Sequence, residues 1–157
     1  MSICFRYGLL LALGLMTHAH ADDRKRNEII SGSSSVLLMK DFVSTGEFAI
    51  PAVLYFDGEG CLTWSSFGLK ENWIDSLDAR LSRGSRDCGQ PTAQAALDAL
   101  ATEGVAISEA RSGRPILIWY GSDRMCPDCA SKKTTHWPEL VARLPEHTLL
   151  FDIDIKS

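Results

Sequence analysis

An α/β fold is predicted by this sequence, on three observations. Apolar runs of strand length, above all Ala52–Phe56, Pro115–Tyr120 and Thr148–Ile155, alternate with segments whose apolar residues recur at helical spacing. Beyond the N-terminal segment no stretch is long and apolar enough to span a bilayer. Solenoid repeats and coiled-coil heptads are absent from the sequence.

Taken in order, Val36-Leu37-Leu38-Met39 reads as a short strand and Asp41 to Phe48 as a connecting segment. Ile50-Pro51 precedes Ala52 to Phe56, a strand of β-branched, aromatic and aliphatic residues. Asp57-Gly58-Glu59-Gly60 is turn chemistry, with two glycines to supply the positive φ of a tight reversal. Cys61 to Phe67 alternates as a returning strand, and Gly68 ends it. Glu71 to Leu81 is predicted helical, with Trp73, Ile74, Leu77 and Leu81 on one face. The linker Ser82 to Pro91 follows. A helix over Thr92 to Thr102 carries Ala93, Ala96, Leu97 and Leu100 as its stripe, and Val105-Ala106-Ile107 reads as a short strand or a loop. The Pro115–Tyr120 strand, a third helix ending near Leu144 before Pro145, and the Thr148–Ile155 strand complete the chain. The order is a ββα block and then an αβαβ block.

Chemistry concentrates in Cys126-Pro127-Asp128-Cys129, which joins the loop after one strand to a helix whose Trp137, Leu140, Val141 and Leu144 face one way. In that context a Cys-x-x-Cys pair carries thiol–disulfide exchange. Cys126 would sit where free backbone N–H groups and the helix dipole favour a thiolate, making it the nucleophile. Cys129, one turn along, would resolve the mixed disulfide. Half of a zinc site and an inert disulfide are the competing readings. A zinc site needs a matching pair, and Cys61 and Cys88 lie 27 positions apart, outside the usual spacing. No metal and no cofactor are therefore expected.

Met1 to Ala21 reads as a signal peptide: Arg6, an apolar stretch from Tyr7 to Met16, then Ala19-His20-Ala21. Cleavage there leaves about 136 residues, enough for one domain over residues 36–157, preceded by a flexible polar leader over residues 22–35. Cys4 is lost with the signal, and the four remaining cysteines suit an oxidising compartment, read as the periplasm. Cys61 and Cys88 are then expected to form a structural disulfide. A net charge of −4 with no Lys/Arg cluster argues against nucleic acid as a partner, and no membrane span remains after cleavage.

Ile50-Pro51, the strand to Phe56, the Asp57-Gly58 turn, the strand to Phe67, Gly68 and the helix to Leu81 resemble the C-terminal half of thioredoxin. Pro115 to Ile155, with Cys126-Pro127-Asp128-Cys129, is similar to its N-terminal half, and the two halves stand in reverse order. The resemblance covers about 80 of the mature residues and implies a circularly permuted, thioredoxin-like three-layer α/β sandwich, ββα block first and the βαβ block with the cysteine pair second. Permutation is tolerable because chain termini often lie close together at the surface. It also implies that the Ile50–Pro51 bond is cis, with Ile50 and Pro51 against the cysteine pair at the substrate edge; the plainer reading of Pro51 is the start of an edge strand. Met125 stands where the family has an aromatic residue, and Trp119 where it has a buried acid. Asp123 or Asp128 is left as a proton acceptor for Cys129, or as a solvated loop residue, the reading we favour. His136, ten residues after Cys126, reads as a helix residue and not a ligand, and Trp64, Trp73 and Trp137 read as core.

Two function classes follow. One is a periplasmic thiol–disulfide oxidoreductase acting on protein thiols and disulfides with an unidentified redox partner. The other is a non-catalytic binding module on the same scaffold, engaging a protein or a metal. The Pro127-Asp128 dipeptide does not fix the direction of exchange.

Overall fold

The strand-length runs do pair, and into one sheet. The computed structural model describes residues 27–35, 49–83, 88, 91–107 and 113–156. They form β1 (Glu28–Ser35), β2 (Ala52–Phe56), β3 (Leu62–Phe67), α1 (Trp73–Leu81), α2 (Ala93–Thr102), β4 (Ile116–Gly121), α3 (Cys129–Arg143) and β5 (Leu149–Lys156). The sheet order is β1-β5-β4-β2-β3. β5 runs parallel to both β1 and β4, whereas β2 is antiparallel to β4 and to β3. The chain is thus mixed α/β with a five-stranded mixed sheet, and the strands of both sequence blocks share it.

Alternation along the central strands decides what lies on each face. Ala52, Leu54 and Phe56 of β2, Ile116, Ile118 and Tyr120 of β4, and Leu149, Phe151, Ile153 and Ile155 of β5 pack on α2 through Ala93, Ala96, Leu97 and Leu100. The intervening residues, Val53, Tyr55, Leu117, Trp119 and Leu150, pack on the other face with Trp73, Ile74 and Leu77 of α1 and Leu140 of α3. Burying both faces accounts for the near-continuous apolar runs of β2 and β4. A fully enclosed side chain such as Leu117 or Phe151 contributes about 1.5–3 kcal/mol.

Local signals set the boundaries. The Thr92 side chain caps α2 by accepting the Ala95 N–H at 3.3 Å. In the β2–β3 turn only Gly60 takes the positive φ, 81°, expected of both glycines. The Asp57 carboxylate completes that turn by accepting the Glu59 and Cys61 N–H groups, each at 3.0 Å. The Val105–Ile107 segment is a loop.

One expectation is overturned. Residues 22–35 were expected as a flexible leader, yet from Glu28 onward they are strand β1, paired residue for residue with β5 from Leu149 to Lys156. Backbone groups make a parallel ladder whatever the side chains, so the polar Ser31 to Ser35 composition concealed the strand. Gly32 is needed there, because a Cβ would lie 2.7 Å from Val105 Cγ2. The expected signal peptide, the Val36–Met39 strand and the Asp41–Phe48 segment lie outside the described residues. No helix among the described residues is long and apolar enough to cross a membrane.

Candidate functional site

β4 delivers the chain to the site. Trp119 is 1% exposed in the sheet, and Gly121 ends the strand. The buried Ser122 then folds the following residues back. Its carbonyl accepts the Cys126 N–H at 2.9 Å, and its hydroxyl accepts the Met125 N–H at 3.4 Å. The Cys126 carbonyl in turn accepts the Cys129 N–H at 2.9 Å, and α3 begins.

The helix starts at the second cysteine, later than the sequence implied, with Asp128 at the N-cap and Cys126 in the preceding turn. Cys126 is nevertheless bonded to Cys129, with Cα atoms 5.3 Å apart, so its sulfur lies at the N-terminal end of α3. There the helix dipole favours a negative sulfur. Cys126 is half-buried, whereas Cys129 is 2% exposed. Chemical attack from solvent therefore meets Cys126 first. Pro127 and Asp128 form the exposed tip between them, and Asp128 makes no side-chain cap bond. Met125, beside Cys126, is 45% exposed.

The Ile50–Pro51 peptide bond is cis. Ala52, the next residue, is paired with Tyr120 at the outgoing end of β4. Pro51 is thereby placed at the same end of the sheet as the cysteine loop. Its carbonyl accepts the Gly68 N–H at 2.9 Å, fixing the start of β2 to the end of β3. Pro51 does not start an edge strand, since β2 lies between β4 and β3.

Cys61 and Cys88 are joined, with Cα atoms 4.7 Å apart. Cys61 precedes β3, whose Leu62 pairs with Phe56, itself opposite the first residue of β4, Ile116. The two cysteine pairs thus occupy opposite ends of the sheet and do not converge on one ion. No group of three or more His, Cys, Asp or Glu side chains among the described residues is gathered to hold a metal. His136 lies edge-on to Trp73 at 5.8 Å, half-buried on α3, as a helix residue should. Trp64, Trp73, Trp119 and Trp137 form a chain of ring contacts at 5.9–6.1 Å behind the motif.

Two residues that the sequence reading passed over also belong here. A cavity of about 240 Å³ on the α3 side is lined by Cys129, Trp119, Ser122, Asp123, Lys133 and Asp152, among others. Across it Lys133 of α3 is ion-paired with Asp152 of β5. The signal was present in Asp152 and Asp154, which interrupt the apolar residues between Leu149 and Ile155. Tyr120 points to the opposite face, where burial pushes its phenol well above the usual range. Comparison with family models, with curated proteins and with solved structures gives no match, so the functional reading rests on this geometry.

Proposed function

We propose that the protein is an exported thiol–disulfide oxidoreductase on a permuted thioredoxin-like scaffold, exchanging disulfides with protein substrates through Cys126 and Cys129. The observation that carries the reading is the asymmetry of the pair: one sulfur reachable at a helix N-terminus, the other sealed behind it. In the reducing direction the Cys126 thiolate attacks a substrate disulfide, forming a mixed disulfide and releasing one substrate thiolate. Cys129 then attacks the Cys126 sulfur, closing the internal disulfide and releasing the second thiolate. Two electrons pass to the substrate, and the reverse sequence oxidises a dithiol. Ile50 and Pro51, at the same sheet end as the cysteine loop, would border the incoming chain.

Support for the scaffold comes from the two sequence halves lying edge to edge, β2 against β4, in one sheet. Support for an oxidising compartment, read as the periplasm, comes from the second disulfide, Cys61–Cys88, together with the Ala19-His20-Ala21 signature. Reduction of insulin by dithiothreitol tests the function: the protein should accelerate it, and Cys126→Ser should not. An inactive wild-type protein whose Cys126–Cys129 disulfide stays closed would leave the binding-module reading in its place.

A further inference from the structure

We infer that Asp152, held in place by Lys133, is the proton acceptor for the Cys129 thiol. The inference rests on the exchange reading above and assigns the one chemical role which that reading leaves open. Cys129 is 2% exposed, so as a thiol it has little water at hand to take its proton. A sulfur that must attack as a thiolate needs a base within its own enclosure.

Register supplies that base. On the α3 side of the sheet, Leu117, Trp119 and Gly121 of β4 stand beside Leu150, Asp152 and Asp154 of β5. Trp119 takes the position before the motif and carries no acid; its neighbour across the ladder, Asp152, does. Lys133 follows Cys129 by four residues on α3, which puts the two on one face of the helix. Lys133 reaches down to the Asp152 carboxylate, and Cys129, Lys133 and Asp152 line the same cavity. The Asp152 side chain is 27% exposed and that of Lys133 33%, so the pair is sheltered yet in contact with water that can carry the proton away. The other charged groups on this cavity are Asp123 from the β4–α3 loop and Asp154 from β5, both exposed; β1 contributes only Ser31 and Gly32. Asp123 and Asp128, the two acids nearest the motif in sequence, are solvated by comparison.

In the resolving step the Cys129 S–H proton passes to the Asp152 carboxylate, directly or through one water. The Cys129 sulfur bonds to the Cys126 sulfur, the bond from Cys126 to the substrate sulfur breaks, and the substrate leaves as a thiolate. Lys133 is a positioning residue: its ion pair fixes the carboxylate within the cavity that Cys129 also lines.

The test separates the two steps. Reduced protein is mixed with a peptide disulfide, quenched with acid over time, and the mixed disulfide and internal disulfide are resolved by mass spectrometry. Asp152→Asn should leave the formation of the Cys126 mixed disulfide unchanged and slow its resolution about tenfold or more near pH 7. That deficit should shrink as pH rises and Cys129 ionises unaided, and Asp152→Glu should recover part of the rate. Asp154→Asn, on the same strand face, should resolve at the wild-type rate. Equal resolution by Asp152→Asn and wild type across the pH range would overturn the inference, as would an equal loss in Asp154→Asn. If Asp152→Asn does not fold, Lys133→Met decides by the same measurement: slowed resolution supports the role, and an unchanged rate overturns it. Failure of wild type to form any mixed disulfide would instead reject the oxidoreductase reading itself.

Discussion

Cys126 and Cys129 are three residues apart and unlike in surroundings. Cys126 is half-buried in a turn held by the carbonyl and hydroxyl of Ser122, while Cys129 is enclosed at the first position of α3. Iodoacetamide added to the reduced protein should therefore alkylate Cys126 before Cys129, with an apparent thiol pKa for Cys126 below the unperturbed value of about 8.5. Equal labelling of both would contradict the asymmetry. The tyrosines make a separate prediction. Burial, and then the nearby Asp57 charge, push the Tyr55 phenol up from 10.0 to about 12, and burial raises Tyr120 as well. A raised folded-state pKa stabilises the fold below the unfolded-state value, and the gain is lost as pH climbs toward the folded one. Denaturant midpoints should hold steady below pH 10 and fall between pH 10 and about 12, and Tyr55→Phe should flatten that fall. At this scale the motif and the pairing of its two cysteines were legible from the sequence. The Lys133–Asp152 pair was not, because it depends on which residue of β5 stands beside Trp119, and register between distant strands is not written in either segment.

Among the elements, β2, β4 and β5 declared themselves by apolar runs, and α1 and α2 by their stripes, within one or two residues of the observed ends. β1 did not. Ser31-Gly32-Ser33-Ser34-Ser35 has the composition of a loop, and only its parallel pairing with β5 makes it a strand. With β1 in place, β5 lies between two neighbours, as its apolar sequence requires; an open edge of that composition would invite aggregation. Polar β1 is the better edge. Its fit depends on Gly32, whose missing Cβ admits Val105. Gly32→Ala should cost about 1–3 kcal/mol in urea unfolding, since the stiff Val105 side chain must move or β1 must lift from the sheet. A variant as stable as wild type would show that β1 adds little to the fold.

The whole molecule keeps two disulfides at opposite ends of one sheet. Cys61–Cys88 ties the start of β3 to the chain between α1 and α2 and closes a loop of 27 positions. Replacing both by Ser should destabilise the protein by about 3 kcal/mol on a chain-entropy basis. That corresponds to a Tm lower by roughly 10 °C. Exchange at Cys126–Cys129 should be unaffected below the new Tm, because no strand end is shared between the two bridges. If the proposed exchange is right, Cys126–Cys129 opens and closes within the folded protein while Cys61–Cys88 stays closed. Equilibration in glutathione buffers of graded potential, followed by alkylation and mass spectrometry with circular dichroism in parallel, measures this directly. One two-electron transition is expected at Cys126–Cys129, with the native spectrum retained and Cys61–Cys88 oxidised throughout. Reduction of Cys126–Cys129 only together with Cys61–Cys88, as the fold is lost, would contradict it.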